Sequence, residues 1–299
     1  MRIPFVTLVG TENDFVLIDR IRHRLETSAG RWPSLARSAC RATGTDGLLL
    51  LERSRRADVR MRIFNPDGSE PSMCGNGIRC LAWYAHRSGV ARPLMSIETR
   101  AGVKHARIEG AGRVRVDLGV PRFLVHLAGF VREGRRIFDA DLVDSGVPHL
   151  VCWVHDAAAV DVERLGRSLR THRRFRPSGT NVDFAHVEAF APSWSRASTH
   201  RASIRLRTYE RGVEAQTQAC GTGGVATAAA FARSVVSGNP AARGRQRFAV
   251  TLRVPGGVLD VEFTAALARR GRVAFGHALL TGDVLQRSRG RLTWNGGWR

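Results

Sequence analysis

Asp67-Gly-Ser-Glu-Pro-Ser-Met-Cys-Gly-Asn-Gly77 and Gly212-Val-Glu-Ala-Gln-Thr-Gln-Ala-Cys-Gly-Thr-Gly223 are two versions of one segment. Each starts in turn-forming residues, ends in Cys-Gly-x-Gly and runs into a helical pattern, over 78–87 in the first copy and over the Ala-rich 225–233 in the second. A segment that recurs once in each half of a 299-residue chain points to an internal duplication. Gly10-Thr-Glu-Asn-Asp-Phe-Val16 and Gly179-Thr-Asn-Val-Asp-Phe-Ala185 echo each other more loosely. Two lobes related by a pseudo-two-fold would set two equivalent Cys-Gly-x-Gly helix starts face to face across a cleft.

The flanking sequence fits that plan. Strands are expected at 2–9, 15–18, 48–52, 59–64, 95–98, 103–109 and 114–120, with a helix at 32–41. The second half repeats the pattern, with strands at 150–155, 182–187, 204–209, 248–254, 258–263 and 273–280 and a helix at 162–172. The segment 190–203 reads as a surface insertion. Residues 285–299, with Arg-Ser-Arg-Gly-Arg and Trp-Asn-Gly-Gly-Trp, read as a basic tail of turn composition. The expected division is an N-terminal lobe 1–125 carrying Cys74, a C-terminal lobe 126–284 carrying Cys220, and the tail 285–299, with an exchange of terminal strands between the lobes allowed.

Composition narrows the function classes. An apolar content of 43% is that of a folded chain. The first fifteen residues lack the basic and apolar regions of a signal peptide, and no apolar run approaches the ~20 residues of a membrane span, so a cytoplasmic protein is expected. The net charge of +21 raises the question of nucleic acid, but the arginines are scattered and Lys104 is the only lysine. A solvated basic surface is the simpler reading. Lys104 lies in a short alternating stretch suited to a strand edge, so a Schiff base to pyridoxal phosphate is not expected. Five cysteines at irregular spacing, without CxxC or HxxxH, give neither a disulfide framework nor a metal site; no cofactor is expected.

The repeated cysteines suggest their own chemistry. Inverting a carbon centre requires removing a proton from one face and delivering one to the other, which two opposed acid/base groups do better than one. A thiolate at a helix N-terminus is favoured by the dipole and by unpaired N–H groups, the position expected for both Cys74 and Cys220. The same N–H groups, opened by Gly75-Asn76 and Gly221-Thr222, can grip a substrate carboxylate. Cys40, Cys80 and Cys152 fall inside apolar elements and read as core residues.

With these motifs in hand, the chain resembles the diaminopimelate epimerases. The likeness runs through the Gly10–Asp19 segment, Arg62-Ile-Phe-Asn-Pro-Asp-Gly-Ser-Glu70, Met73-Cys-Gly-Asn-Gly-Ile-Arg-Cys80, Gly146-Val-Pro-His149, Gly179-Thr-Asn-Val-Asp-Phe184, Tyr209-Glu-Arg-Gly212, Ala219-Cys-Gly-Thr-Gly223 and Pro255-Gly-Gly257. It implies an α/β (α+β) chain of two pseudo-symmetric lobes, each a mixed, curved sheet around a central helix. The implied activity is cofactor-independent interconversion of LL- and meso-2,6-diaminopimelate on the route to lysine and peptidoglycan. Carried over residue by residue, the resemblance makes Cys74 and Cys220 the catalytic pair and assigns His149 and Glu210 to tuning the thiols. It gives Asn13, Asn65, Asn181, Glu210 and Arg211 to substrate binding, beside the cradle of Gly75, Asn76, Gly221 and Thr222. Arg211 suits a distal carboxylate through its bidentate fork.

The partner implied is a small amino acid with two carboxylates; a homodimer is compatible with the sequence, and neither nucleic acid nor membrane is expected. Val147 stands where the family often has Asn, Glu12 where Gly is common, Gln216 where an acid is frequent and Asp283 where Pro is usual, and the Gly44–Gly47 loop is short. These departures lie toward the substrate end. The alternatives are a two-cysteine racemase or epimerase of the same fold acting on proline, hydroxyproline or histidine, and a non-catalytic basic nucleic-acid-binding protein.

Overall fold

A computed structural model describes every residue except 1, 24–28, 111, 194–198, 240–243, 269–270 and 295–299. The chain divides into two compact units, Met1–Val116 with Gly282–Arg299, and Asp117–Thr281.

In the first unit, β1 (Arg2–Gly10) and β2 (Asn13–Asp19) form a hairpin, and α1 (Trp32–Thr43) crosses over to β3 (Gly47–Glu52), parallel to β2. β4 (Val59–Phe64) returns antiparallel, and α2 (Gly75–Arg87) crosses to β5 (Leu94–Thr99), parallel to β4. β6 (Gly102–Ile108) and β7 (Arg113–Asp117) follow as an antiparallel meander.

The second unit repeats this order. β8 (Arg122–Glu133) and β9 (Arg136–Asp144) pair antiparallel, β9 pairs with β10 (Pro148–Trp153), and α3 (Val162–Arg170) crosses to β11 (Asn181–Ala191), parallel to β10. β12 (Thr199–Glu210) returns antiparallel and carries the short β13 (Ala215–Thr217). α4 (Gly221–Gly238) then crosses to β14 (Gln246–Val254), parallel to β12, before β15 (Gly257–Leu267) and β16 (Val273–Phe275). β17 (Leu279–Asp283) leads the chain back to the first unit, where β18 (Leu285–Thr293) pairs antiparallel with β1 as β8 does with β9.

The unbroken apolar run Leu48-Leu-Leu-Leu51 is a strand buried on both faces, as covering by helices on each side demands. Strand alternation separates the two faces. Leu48 and Leu50 join Trp32, Leu35 and Ala39 of α1, while a β-carbon at Gly77 of α2 would lie 3.1 Å from Leu49 Cδ2. α2 contacts β1, β2, β3, β4 and β6, so the sheet curves around it; α4 is likewise ringed by β8–β11 and β14–β16. This explains why α4 is apolar or small on nearly every side, whereas α3, capped by Asp161 and burying Val162, Leu165 and Leu169, is amphipathic.

The structure corrects several expectations. α2 and α4 begin at the glycine directly after each cysteine, and α4 extends to Gly238. The hairpin β8–β9 has no counterpart in the sequence reading, and the strand expected at 273–280 is broken into β16 and β17. Residues 285–293, expected as tail, are β18, anchored by the buried Leu292 and Trp294; residues 295–298 of the Trp-Asn-Gly-Gly-Trp motif lie outside the described residues. The insertion expected at 190–203 is mostly strand, β11 reaching Ala191 and β12 starting at Thr199, with 194–198 outside the described residues.

The looser sequence echo is also misaligned with the structural repeat. Parallel register sets Phe15 beside Gly47 and His149 beside Asn181, so the approach to β11 at 179–181 corresponds to the Gly44–Gly47 turn and not to the hairpin turn after Gly10. By the same register Asn13 corresponds to Val147. Leu49, paired with Ile63, corresponds to Asp183, paired with Thr208.

Candidate active site: two helix starts

In the first unit Cys74 is the N-cap of α2 in extended backbone (φ −137°, ψ 125°), and its Sγ accepts from the Gly77 N–H at 3.4 Å. The helix begins with the Ile78 N–H donating to Cys74 O at 2.9 Å, leaving the first-turn N–H groups pointing along the axis beside the thiol. Asn76 donates through Nδ2 to Asn13 Oδ1, joining the cradle to the β1–β2 turn. That turn holds Thr11 and Glu12 at φ 53° and 61°, a conformation usually left to Asn and Gly. Gly10 is required there, since a β-carbon would lie 2.9 Å from Cys80 Sγ and 3.1 Å from Asn76 O. Asn65 behaves differently: its Nδ2 donates to Ser69 Oγ at 2.9 Å within its own turn, and no described hydrogen bond joins it to the Asn13–Asn76 cluster.

Sequence reasoning missed Arg79. Its side chain is fully buried, with Nη2 donating to Thr11 Oγ1 (2.7 Å) and Asn76 Oδ1 (2.9 Å) and Nη1 to Gly75 O (3.3 Å). No carboxylate pairs with it among the described residues. Burial lowers its pKa from the usual arginine range, and the neighbouring Cys80, Cys74 and Asp283 act in the opposite sense.

In the second unit Cys220 is the N-cap of α4, also in extended backbone (φ −122°, ψ 109°) but without a side-chain cap hydrogen bond, and Thr222 Oγ1 lies 3.4 Å from its Sγ. Register brings His149 and Asn181 together, and Asn181 Nδ2 lies 3.1 Å from His149 Nε2. Thr222 Oγ1 is 3.0 Å from the same nitrogen. Glu210, at the end of β12, is mostly buried and its pKa is raised by that burial; His149, Thr217 and Cys220 hold it down while Asp183 adds to the rise. The Arg211 N–H donates to Asn181 Oδ1 at 2.8 Å and its Nη1 to Ser178 O at 3.3 Å, with no carboxylate partner among the described residues. Gln216 accepts from Arg207 Nη2 at 2.6 Å and so is occupied within the sheet.

Burial, then the nearby Glu210 and Asp183, push the Cys220 thiol well above its ordinary range, outweighing Thr222 and the Gly223 N–H. Burial first, and then its acidic neighbours, thus act against the thiolate that a helix start is expected to favour here. Cys220 is also less exposed than Cys74. Iodoacetamide at pH 8 should label Cys74 before Cys220, read by peptide mass spectrometry; equal rates would contradict this environment. Cys40, Cys80 and Cys152 are buried, and burial holds the Cys80 thiol up at about 12.

The expected residues thus gather into two clusters, Asn13, Cys74, Gly75 and Asn76 in one unit, and His149, Asn181, Glu210, Arg211, Cys220, Gly221 and Thr222 in the other. The fold is shared with a PhzF-family phenazine biosynthesis protein from Bacillus anthracis (TM-score 0.70, 14% identity, 98% of this chain and 100% of that one). It is also shared with a probable proline racemase from Agrobacterium radiobacter K84 (TM-score 0.65, 17% identity, 98% and 93%). Diaminopimelate epimerase of Archaeoglobus fulgidus is 37% identical over 88% of this chain and 90% of its own length. The family model described as Diaminopimelate epimerase matches residues 5–124 and 142–280, spanning both cysteine-capped helix starts, and the chain belongs to that family.

Proposed function

We propose that this chain interconverts LL- and meso-2,6-diaminopimelate, with Cys74 and Cys220 exchanging the roles of base and acid on opposite faces of the α-carbon. The observation that carries the reading is the repeat itself: in each unit a cysteine stands at the N-cap of the helix around which the sheet curves. In either direction one cysteine starts as thiolate and the other as thiol. The first-turn N–H groups at Gly75-Asn76 and Gly221-Thr222 hold the α-carboxylate, which gains charge as the carbanion forms. Arg211, without an acidic partner among the described residues, takes the distal carboxylate. A substrate with a second amino-acid head uses Asn65, Asn181, Glu210 and Arg211; proline offers them nothing to hold.

No helix among the described residues is long and apolar enough to cross a membrane. Lys104 lies within β6. The reaction is expected to need neither pyridoxal phosphate nor a metal. The test is an assay in deuterated water with LL-diaminopimelate, proline and histidine, with and without EDTA. Inversion of diaminopimelate alone, with deuterium entering at the inverted carbon and no effect of EDTA, supports the reading. Turnover of proline instead, or loss of turnover on chelation, rejects it.

A further inference from the structure

The two helix starts have different backing. Behind Cys74, the positions facing α2 are the apolar Phe15, Leu49 and Ile63, at most 4% exposed. The corresponding residues behind Cys220 are His149, Asp183 and Thr208, equally buried. The equivalence is spatial as well as topological. A β-carbon at Gly77 would meet Leu49 and Ile63, and one at Gly223 would meet Asp183 Oδ1 and Thr208 Oγ1. Burying three polar groups costs free energy unless all are satisfied, and these are: Asp183 Oδ2 is 2.7 Å from His149 Nδ1, and Thr208 Oγ1 donates to Asp183 Oδ1 at 2.7 Å.

The network also fixes the histidine tautomer. A backbone N–H can only donate, so Asn181 must turn Oδ1 toward Arg211 N and Nδ2 toward His149 Nε2. Nε2 therefore presents its lone pair, and the ring proton sits on Nδ1, directed at the Asp183 carboxylate. The hydroxyl of Thr222 lies between that lone pair (3.0 Å) and Cys220 Sγ (3.4 Å). Ser145 Oγ donates to Thr222 O at 2.8 Å, steadying the residue that bridges the two.

We propose that the Cys220 proton travels through a buried relay, Thr222 Oγ1 to His149 Nε2, with Asp183 as the positioning residue that holds the imidazole ready to accept it. The inference rests on the reading of Cys220 as an acid/base group. In the forward step the S–H bond breaks and its proton goes to Thr222 Oγ1, while the threonine's own proton passes to Nε2. The products are a Cys220 thiolate and an imidazolium paired with the Asp183 carboxylate. Protonated Nε2 no longer accepts from Asn181 Nδ2, which favours return of the proton through Thr222 to Cys220 in the reverse direction, when Cys220 has given its own proton to the substrate carbon and stands as thiolate. Glu210 faces the same thiol and sets its charge environment together with Asp183. The corresponding positions in the first unit, Phe15, Leu49 and Ile63, are apolar and offer no proton donor or acceptor.

The test uses Thr222→Val, which keeps shape and backbone N–H but removes the hydroxyl, with Thr222→Ser as the conservative rescue and Asp183→Asn as the positioning variant. Thr222→Val should lower kcat about 100-fold with little change in KM, and Thr222→Ser should restore most of it. Independently of any substrate, the pH profile of Cys220 alkylation should move upward in Thr222→Val, which loses the hydroxyl that holds the thiol down, with that of Cys74 unmoved. Nitrogen-15 NMR should find the His149 proton on Nδ1 in the wild type and redistributed in Asp183→Asn. An unshifted Cys220 profile in folded Thr222→Val, or the proton on Nε2 in the wild type, overturns the relay even if the enzyme epimerises its substrate. Absence of diaminopimelate turnover in the wild type with the shifted profile intact would fault the proposed substrate and leave the relay standing.

Discussion

Alanine at Cys74 or at Cys220 is expected to reduce inversion of diaminopimelate by about 10²- to 10⁴-fold, the range associated with loss of a positioned acid or base. Neither single variant can both remove and return a proton across the α-carbon. Alanine at Cys40, Cys80 or Cys152 should instead cost about 0.5–3 kcal/mol of stability and leave turnover per folded molecule intact. Serine separates the two faces. An alcohol is too weak an acid to become a base here, but its hydroxyl can still occupy the second face, so each serine variant should lose inversion while retaining slow α-hydrogen exchange from one substrate configuration. Cys74→Ser and Cys220→Ser should favour opposite configurations, measured by deuterium wash-in at each stereocentre. If both exchange the same configuration, or either inverts at the wild-type rate, the opposed-thiol mechanism is wrong.

The parts of this molecule that were legible in its sequence are those where one local force dominates. Leu48–Leu51 and the Ala-rich start of α4 are apolar on both sides because helices or sheet surround them, and the repeated Cys-Gly-x-Gly marks a helix start with little ambiguity. β8 and β18 were not legible. Both are outer strands with long exposed stretches, and the ladder to β9 or β1 supplies order that their side chains do not advertise. The break between β16 and β17 depends on the distant backbone of Thr264 and Gly119, which accept from Gly276 and Ala278.

At the site, the cysteines and their glycines could be read directly, but the groups behind them could not all be. Asp183 was within reach: it stands two residues after Asn181 in a strand, so the two share a face. Arg79 was not, because arginine in a helix is ordinarily exposed, and only the fold shows that its guanidinium is spent on Thr11, Asn76 and Gly75. Val225 occupies the corresponding place in α4 and is buried. The duplication thus preserved the backbone while the two helix starts diverged in charge, a buried cation beside Cys74 and a buried carboxylate–imidazole pair behind Cys220.

Gly223→Ala and Gly224→Ala make the second large expectation, because the two glycines are neighbours in the first turn of α4 and should respond in opposite ways. Each substitution gains about 0.5–1 kcal/mol from reduced backbone freedom in a helix. At 224 the new β-carbon would lie 2.6 Å from Leu252 Cδ1, the tip of a side chain that can turn aside. At 223 it would lie 2.5 Å from Asp183 Oδ1 and 3.2 Å from Thr208 Oγ1, both held by hydrogen bonds in a buried network. Relief there requires moving the carboxylate off His149 or lifting the helix start that carries Cys220 and Thr222. A displacement of about 1 Å at a reacting group costs on the order of 10²-fold in rate, so Gly223→Ala should lose that much kcat while Gly224→Ala stays within a few-fold of the wild type. Thermal unfolding of both variants separates loss of activity from loss of fold. Equal turnover in the two would mean that the position of Asp183 behind the helix start has no part in catalysis.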